Sequence, residues 1–189
     1  MSSEQPDLGR LAAQVDNAQY SKGLPPLEKW NPPFSGDLDM RIARDGSWYY
    51  LGTPILRKEM VRLFSTILLR QGHDYFLVTP VEKFRIQVED VPFVAVSVDV
   101  RTADGATLLE FETSVGDKVI ADAEHPLRVE IDAQSGEPSP FVLVRANLEA
   151  RIARNVFYQL VDMAEEKLEK GASQLFVRSA GQRFVLGNF

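Results

Sequence analysis

Short stretches in which apolar and polar residues alternate are the feature that most constrains this chain. From Phe93 to Val100 every second residue is valine, and from Leu127 to Ile131 three aliphatic residues alternate with charged ones. A period of two places the apolar side chains on one face of an extended strand. The pair Asp104-Gly105 favours a hairpin turn after the first stretch. The second half of the chain is therefore predicted to be rich in half-buried antiparallel strands.

Two other segments repeat apolar residues every three or four positions, as amphipathic helices do. The first is predicted to open at Thr53 as N-cap and Pro54 as first helical residue, and to reach about Arg70. The second is predicted as a long helix, 147–170, with Asn147 as its N-cap. The chain therefore mixes helices with antiparallel strands.

Each predicted helix is followed by a short apolar strand that contains an aromatic residue, Tyr75–Val78 in one case and Leu175–Val177 in the other. This repetition predicts an α+β fold with two lobes, each built on a duplicated helix-plus-antiparallel-strands unit. We place an N-terminal helical extension at 1–22, an N-terminal α+β lobe at 23–90 and a C-terminal β-rich lobe at 91–189. Because small molecules preferentially bind in clefts between domains, a site between the lobes is expected.

Composition narrows the compartment and the partners. The chain has no cysteine and a net charge of −6. The absence of cysteine excludes disulfides and cysteine-ligated metals, and the acidic balance argues against nucleic acid as a partner. The N-terminus lacks the basic and apolar regions of a secretory signal, and no apolar run approaches the length of a membrane span. We expect a soluble, cytoplasmic protein that does not associate with membranes.

Catalytic signatures are sparse. The sequence has no Gly-x-Ser-x-Gly motif, no phosphate-binding glycine loop, and only His73 and His125 as imidazoles. Acid/base chemistry would have to use Glu82, Glu89 or Asp90, and surface solvation is the alternative for all three. No catalytic residue, metal site or cofactor is predicted, so the sequence favours a binding protein over an enzyme.

Basic residues gather near the predicted helix starts. A helix N-terminus offers free N–H donors, so a nearby arginine or lysine can complete a site for phosphate or carboxylate. The alternative is that these residues form ion pairs with the many Asp and Glu side chains. The residues concerned are Arg57, Lys58, Arg62, Lys83, Arg85, Arg145, Arg151 and Arg154.

Four stretches resemble a proteobacterial family known as domain of unknown function 1285, namely Asp45–Ile55, Leu77–Lys83, Val88–Phe93 and Leu148–Tyr158. The resemblance covers nearly the whole chain beyond the N-terminal extension. It implies a duplicated core, a C-terminal lobe superficially like a pleckstrin-homology fold, a nucleotide-like ligand between the lobes and a role in signal transduction. The family motif carries over onto Arg57, Thr79, Glu82, Lys83, Arg154 and Asn155 as ligand-binding candidates.

These observations predict a module that binds a small anionic, nucleotide-like ligand between its lobes, with Arg57, Lys83 and Arg154 balancing its charge. One alternative is a protein-interaction scaffold that needs no pocket. Another is an enzyme in which Glu82 or Asp90 serves as general base. A protein partner is compatible with either of the first two readings.

Overall fold

The computed structural model describes residues 4–16 and 23–189, which form a mixed α+β protein. The chain divides into two compact units, Met1–Asp90 and Val91–Phe189. Three α-helices lie among the described residues, and strands make up most of the remaining regular structure. None of the described helices is long and apolar enough to cross a membrane. Residues 1–3 and 17–22 of the predicted N-terminal extension lie outside the described part of the chain.

The N-terminal unit is built on one six-stranded sheet with the order β3-β2-β1-β6-β5-β4. Strands β1 and β6 are parallel, and the other neighbours are antiparallel. The sheet is therefore two three-stranded antiparallel meanders joined at one parallel pair. The elements are α1 (Leu8–Asp16), a 3-10 turn (Leu27–Lys29), β1 (Phe34–Ile42), β2 (Trp48–Tyr50), β3 (Thr53–Pro54), α2 (Lys58–Thr66), β4 (Leu68–Gln71), β5 (Asp74–Val78) and β6 (Lys83–Val88).

The C-terminal unit contains two sheets. One has six strands in the order β10-β11-β12-β7-β8-β9, and the other is the meander β13-β14-β15. Helix α3 contacts β7 of the first sheet and β14 of the second. The elements are β7 (Phe93–Ala103), β8 (Ala106–Thr113), β9 (Lys118–Ile120), β10 (Leu127–Ile131), β11 (Pro138–Arg145), β12 (Leu148–Ile152), α3 (Arg154–Asp162), β13 (Glu165–Glu169), β14 (Ala172–Ser179) and β15 (Gln182–Asn188).

The two six-stranded sheets share one strand order. In each, the first strand of one meander lies parallel to the last strand of the next, β1 beside β6 and β7 beside β12. The units differ in where the helix falls. Helix α2 lies between the two meanders of its sheet, whereas α3 follows both meanders and precedes a third.

Alternation along the strands produces the cores. On β1, Leu38, Met40 and Ile42 are buried while the residues between them are exposed or half-buried. Helix α2 adds the fully buried Phe64 to the N-terminal core, and α3 adds Val156 and Leu160 to the C-terminal core. The period-two pattern therefore marks the buried face of β1, but not that of β7. There Val96 and Val100 are 45% and 56% exposed, because a register shift between Ala95 and Ser97 interrupts the alternation.

The first predicted helix begins and ends at different residues from those expected. Thr53 and Pro54 form the short strand β3 and cap no helix, because Leu51 and Gly52 adopt positive φ angles of 48° and 76° and turn the chain back on β2. The helix starts at Lys58 and ends at Thr66. Ile67 caps the helix and Leu68–Gln71 form β4, so the helix is shorter than the prediction at both ends.

The long helix predicted at 147–170 is wrong. The first residues of that range form β12, in which Leu148, Ala150 and Ile152 are buried in alternation, so a period of two prevails over the capping signal of Asn147. The last residues form β13, which pairs with β14 through a tight turn at Lys170 and Gly171. Only Arg154–Asp162 is helical.

Candidate functional site

The turn between β5 and β6 holds two of the predicted ligand residues, Thr79 and Glu82. The backbone N–H of Thr79 donates to the carbonyl oxygen of Glu82 over 2.8 Å. The Oγ1 atom of Thr79 accepts the N–H groups of Glu82 (3.0 Å) and Val81 (3.3 Å), and the residue is 1% exposed. Thr79 therefore closes this turn with its own hydroxyl.

Helix α1 docks on the same turn. The Thr79 hydroxyl donates to Oε1 of Gln14 over 2.7 Å, and Nε2 of Gln14 donates to Oε2 of Glu82 over 2.8 Å. Arg10 donates from Nη2 to Oε1 of Glu82 over 3.1 Å. Both carboxylate oxygens of Glu82 are thus engaged by the N-terminal helix. The structure brings Thr79 and Glu82 together as a helix-docking turn and not as an open ligand site.

Lys83, the third predicted residue of this region, is also occupied. Its ammonium group donates to Oε1 of Gln71 over 2.5 Å and lies 4.4 Å from the centre of the Phe76 ring. Its backbone N–H donates to the hydroxyl of Ser35 over 3.1 Å, beside the parallel β1–β6 pair. Lys83 therefore tethers strands β4, β5 and β6 to one another across one face of the sheet.

Arg57 precedes α2 and is exposed. Its carbonyl oxygen accepts the N–H groups of Met60 and Val61, which start the helix, but its side chain supplies no N-terminal cap. Its guanidinium makes no hydrogen bond or ion pair with another described residue. The structure leaves this cation in solvent beside Leu56, which is 84% exposed.

Arg154 and Asn155 are the first two residues of α3, and both are exposed. The residue before them, Ala153, has no side chain that can cap a helix, so the first N–H groups of α3 are left to solvent or to a ligand. Arg154 makes no ion pair within the described part of the chain. The prediction of a cation at a helix start therefore matches the position of Arg154.

Two other arginines predicted near the second helix lie on strands instead. Arg145 ends β11, where it donates to Asp117 over 2.6 Å and lies 4.9 Å from the Phe93 ring centre. Arg151 lies on β12, with its guanidinium 4.8 Å from the centre of the Phe141 ring. Their positions follow from the late start of α3.

Glu89, one of the three proposed acid/base residues, has partners that favour its ionised carboxylate. Glu89 accepts the backbone N–H of Arg44 and the guanidinium of Arg41. These two hydrogen bonds hold the pKa of Glu89 below its usual range. A general base needs a pKa raised towards neutrality, so the geometry of Glu89 is that of a structural anion.

A shallow polar depression of about 430 Å³ lies on the N-terminal unit beside His73. Within it, the guanidinium of Arg85 donates two hydrogen bonds of 2.6 and 3.1 Å to the carboxylate of Asp37, and these lower the pKa of Asp37. Asp74 lies 4.0 Å from the same guanidinium. The charges within this depression already satisfy one another.

An apolar groove of about 610 Å³ lies within the C-terminal unit, and we call it the α3 groove. Helix α3 forms one wall and the edge strands β10 and β15 form others. Its volume falls in the range of small-molecule pockets, roughly 300–1,000 Å³. Two of its apolar side chains, Ile131 and Phe189, remain 56% and 79% exposed. The lining residues are Val129, Ile131, Gly136, Pro138, Phe157, Val161, Leu175, Val185, Leu186, Gly187, Asn188 and Phe189.

Arg154 lies one helical turn before Phe157, which lines this groove, and is not itself a lining residue. Residues three and seven positions apart share one face of a helix, so Arg154 follows the same face of α3 as Phe157 and Val161. Those two residues line the groove. Helix α3 thus lines an apolar groove with its later turns and carries an exposed cation at its uncapped start. Sequence reasoning found Arg154 but missed the groove, because it assigned the segments on either side of α3 to a longer helix.

Paired arginines over aromatic rings are a second feature that the sequence did not reveal. On strands β10 and β12 of the larger C-terminal sheet, Arg128 and Arg151 lie 4.3 and 4.8 Å from the centre of the Phe141 ring on β11. Arg128 also donates to Glu149 through two hydrogen bonds, which raise its pKa. Cross-strand register places the three residues in one row, Arg128 opposite Phe141 and Phe141 opposite Arg151.

Metal ligation has no support in the part of the chain that the structure describes. No group of three or more His, Asp or Glu side chains is close enough there to hold an ion. His125 faces Asp122, with 3.0 Å between Nδ1 and Oδ1, in a loop where the same carboxylate also accepts two backbone N–H groups. That contact fits an aspartate that shapes a turn.

The fold and site define a two-unit α+β protein with a ligand-sized apolar groove in its C-terminal unit. Its residues 25–91 match the model of the domain of unknown function DUF1285, N-terminal domain, and residues 92–186 match the protein of unknown function DUF1285, C-terminal domain. The chain therefore belongs to the DUF1285 family.

Two solved structures are similar to this chain. A DUF1285 family protein from Silicibacter pomeroyi DSS-3 shares 49% sequence identity, with 97% of this chain and 96% of that chain covered and a TM-score of 0.83. A DUF1285 family protein from Shewanella baltica OS155 shares 30% identity over 66% of this chain and 91% of that chain, with a TM-score of 0.52. A search of the curated proteins finds no match.

Proposed function

We propose that this protein is a small-molecule-binding module that takes an anionic ligand with an apolar body. The observation that carries the proposal is the α3 groove, a concavity of about 610 Å³ within one unit. Burying the apolar part of a ligand there removes both ligand and groove surface from water, at about 25 cal/mol per Å² of apolar area. The groove supplies the affinity for the ligand body.

The positive charge at the start of α3 favours an anionic head group on the ligand. Arg154 is exposed, lies on the groove face of α3 and makes no ion pair with another described residue. The first N–H groups of α3 lack a side-chain cap and carry the positive end of the helix dipole. An anionic group placed at that end would therefore gain charge-assisted hydrogen bonds, whereas a cation would be repelled.

The N-terminal candidates support this site less well. Thr79 and Glu82 are engaged by α1, and Lys83 by Gln71 and Phe76. Breaking these contacts to admit a ligand would offset part of the binding free energy. Of the six residues that the family motif selects, Arg154 and Asn155 are therefore the two that we assign to the ligand.

Octanoate tests the proposal, because it carries one carboxylate on an apolar chain, and octan-1-ol serves as its uncharged counterpart. Isothermal titration calorimetry is expected to show octanoate binding about tenfold more tightly than octan-1-ol, the effect of one charge-assisted contact. Arg154→Gln is expected to abolish that difference. Val161→Asp, which places a like charge in the groove, is expected to remove octanoate binding altogether.

Arg57→Gln is the matched control, because Arg57 is an exposed arginine at the start of α2 and lies outside the groove. Its octanoate affinity is expected to equal that of the unmodified protein. Equal loss of affinity in Arg57→Gln and Arg154→Gln, or octanoate binding that survives Val161→Asp, would reject the proposed site. Titration with nucleoside monophosphates tests whether the ligand is nucleotide-like.

We further infer that the two six-stranded sheets arose by duplication of one unit, because they share a strand order that includes the single parallel pair. The likeness of the C-terminal lobe to a pleckstrin-homology fold, the placement of a ligand between the lobes and the role in signal transduction stay predictions. So does the alternative of a protein-interaction scaffold.

A further inference from the structure

Helix α1 is bound to the N-terminal unit through a small set of side chains. Leu11 and Val15, four positions apart on one face, are 1% and 0% exposed. Arg10, beside them, is half exposed at the side-chain level and reaches Glu82. A helix of nine residues is unstable in isolation, so α1 depends on these contacts to remain helical.

The polar contacts of α1 recognise particular side chains. The Gln14 side-chain amide is both acceptor and donor: its oxygen accepts from the Thr79 hydroxyl and its nitrogen donates to the Glu82 carboxylate. Ahead of the helix, Oε1 of Gln5 accepts the backbone N–H of Asp39 over 2.9 Å. The carbonyl oxygen of Pro6 accepts the Tyr50 hydroxyl over 2.5 Å. The segment from Gln5 to Val15 thus binds as a peptide ligand would, through alternating apolar and hydrogen-bonding side chains.

The sheet and the turn beneath α1 have hydrogen bonds of their own that do not involve it. None of the pairings in the six-stranded sheet involves α1. The turn keeps the bonds from Val81 and Glu82 to the Thr79 hydroxyl, and the bond from the Thr79 N–H to the Glu82 carbonyl, whether or not Gln14 is present. Removal of α1 would free one hydroxyl donor, one carboxylate and the apolar surface that covers Leu11 and Val15.

We propose that α1 is a displaceable cap over a helix-binding surface of the N-terminal unit. It opens as a unit while the sheet stays folded, and opening uncovers Thr79 and Glu82. The uncovered surface fits an amphipathic helix with two apolar residues four apart and a glutamine or arginine beside them, which is the chemistry that α1 itself presents. This surface lies in the other unit from the α3 groove and is independent of the ligand proposed there.

Cysteine labelling tests the cap, because the chain contains no cysteine of its own. Val15→Cys places a thiol under α1, and Val78→Cys places one at a residue that is 1% exposed on β5. In the native full-length chain, the Val15→Cys thiol is expected to react with an aromatic disulfide reagent at least about 100-fold faster than the Val78→Cys thiol, as local opening requires. Adding Glu82→Gln is expected to speed the first reaction about fivefold and leave the second unchanged.

Equal labelling rates at the two positions would mean that α1 is released only when the whole unit unfolds, and would overturn the proposal. Hydrogen exchange on the unmodified protein gives an independent reading, should Val15→Cys prevent folding. Amides of Ala12 to Asp16 are expected to exchange by an opening that leaves β5 protected. Protection of α1 equal to that of β5 would overturn the proposal in the same way.

Discussion

Helices α2 and α3 are locally alike but end in different surroundings. Each has nine residues, lacks a side-chain N-cap, begins beside an exposed arginine and is followed by a three-stranded meander. The meander after α2 joins a larger sheet, because β6 pairs with β1. The meander after α3 remains separate, so its edge strand β15 borders a groove with β10.

This difference teaches that the groove is a consequence of topology. In the N-terminal unit, β6 pairs with β1, so the meander after α2 has no free edge at β6. In the C-terminal unit, β15 is an edge strand, and apolar side chains such as Val185 and Phe189 line a groove beside it. We assign an arginine at a helix start to a ligand only where the same helix lines such a groove. That is why Arg154 and Arg57, which occupy similar positions in sequence, are assigned different roles.

The largest expected effect on stability concerns α2, whose meander joins the larger N-terminal sheet. Phe64 on α2 is fully buried, so Phe64→Ala is expected to lower the free energy of unfolding by about 3–5 kcal/mol. Urea denaturation followed by tryptophan fluorescence measures this, since Trp30 and Trp48 are the only tryptophans and both lie in the N-terminal unit.

Val161→Ala is the matched substitution on α3, beside the α3 groove. Because Val161 is 37% exposed at the groove, its truncation is expected to cost less than about 1 kcal/mol, measured by circular dichroism during urea denaturation. A loss as large as that of Phe64→Ala would show that the groove is packed like a core and would remove its capacity for a ligand.

A smaller effect distinguishes two threonine-closed turns, one in each unit. Thr79→Val leaves two backbone N–H groups without an acceptor and the Gln14 amide oxygen without the donor hydroxyl, so we expect a loss of about 1–3 kcal/mol. The hydroxyl of Thr113 accepts one such N–H, from Asp117, and Thr113→Val is expected to cost about 1 kcal/mol. Thermal denaturation of both variants makes the comparison, and a greater loss for Thr113→Val would contradict the docking role of Thr79.

The smallest effect is a pH dependence in the separate C-terminal meander. Hydrogen bonds from Arg183 and Lys167 hold the pKa of Glu169 at about 2, below its ordinary 4.5. Stability gained from a depressed pKa is fully present above the unfolded value and is lost as the pH falls towards the folded one. The melting temperature is therefore expected to fall between pH 4.5 and about 2 by more in the unmodified protein than in Glu169→Gln.

Glu124→Gln serves as the control for this pH series, because the Glu124 carboxylate makes no hydrogen bond or ion pair with another described residue. Its melting temperature is expected to follow that of the unmodified protein across the same range. A Glu169→Gln profile that also follows the unmodified protein would show that the pairs with Arg183 and Lys167 do not persist in solution.

Much of the architecture could be predicted from the sequence, because local patterns determine strands and turns. The α+β class and the Asp104-Gly105 hairpin followed from such patterns. The family followed from the resemblance of four stretches. The ends of the helices could not be predicted in the same way. In Leu148–Ile152 a short alternation competes with a capping signal, and only pairing with distant strands decides between them.

The candidate site was harder to predict for the same reason. Arg154 could be singled out as a cation near a helix start, but the groove that its helix lines also needs β10 and β15, which are far apart in sequence. The sequence does not indicate that Arg10 and Gln14 bind Glu82, or that Gln71 binds Lys83. Partners that come from distant segments leave no local signal.

Mapping the bound probe by NMR tests the central claim most directly. Octanoate titrated into isotope-labelled protein is expected to shift the backbone resonances of Asn155, Phe157, Val161 and Val185 along one binding curve, while those of Thr79 to Lys83 stay in place. Shifts centred on Thr79 to Lys83, or no saturable shift around α3, would contradict the assignment of the site to the α3 groove.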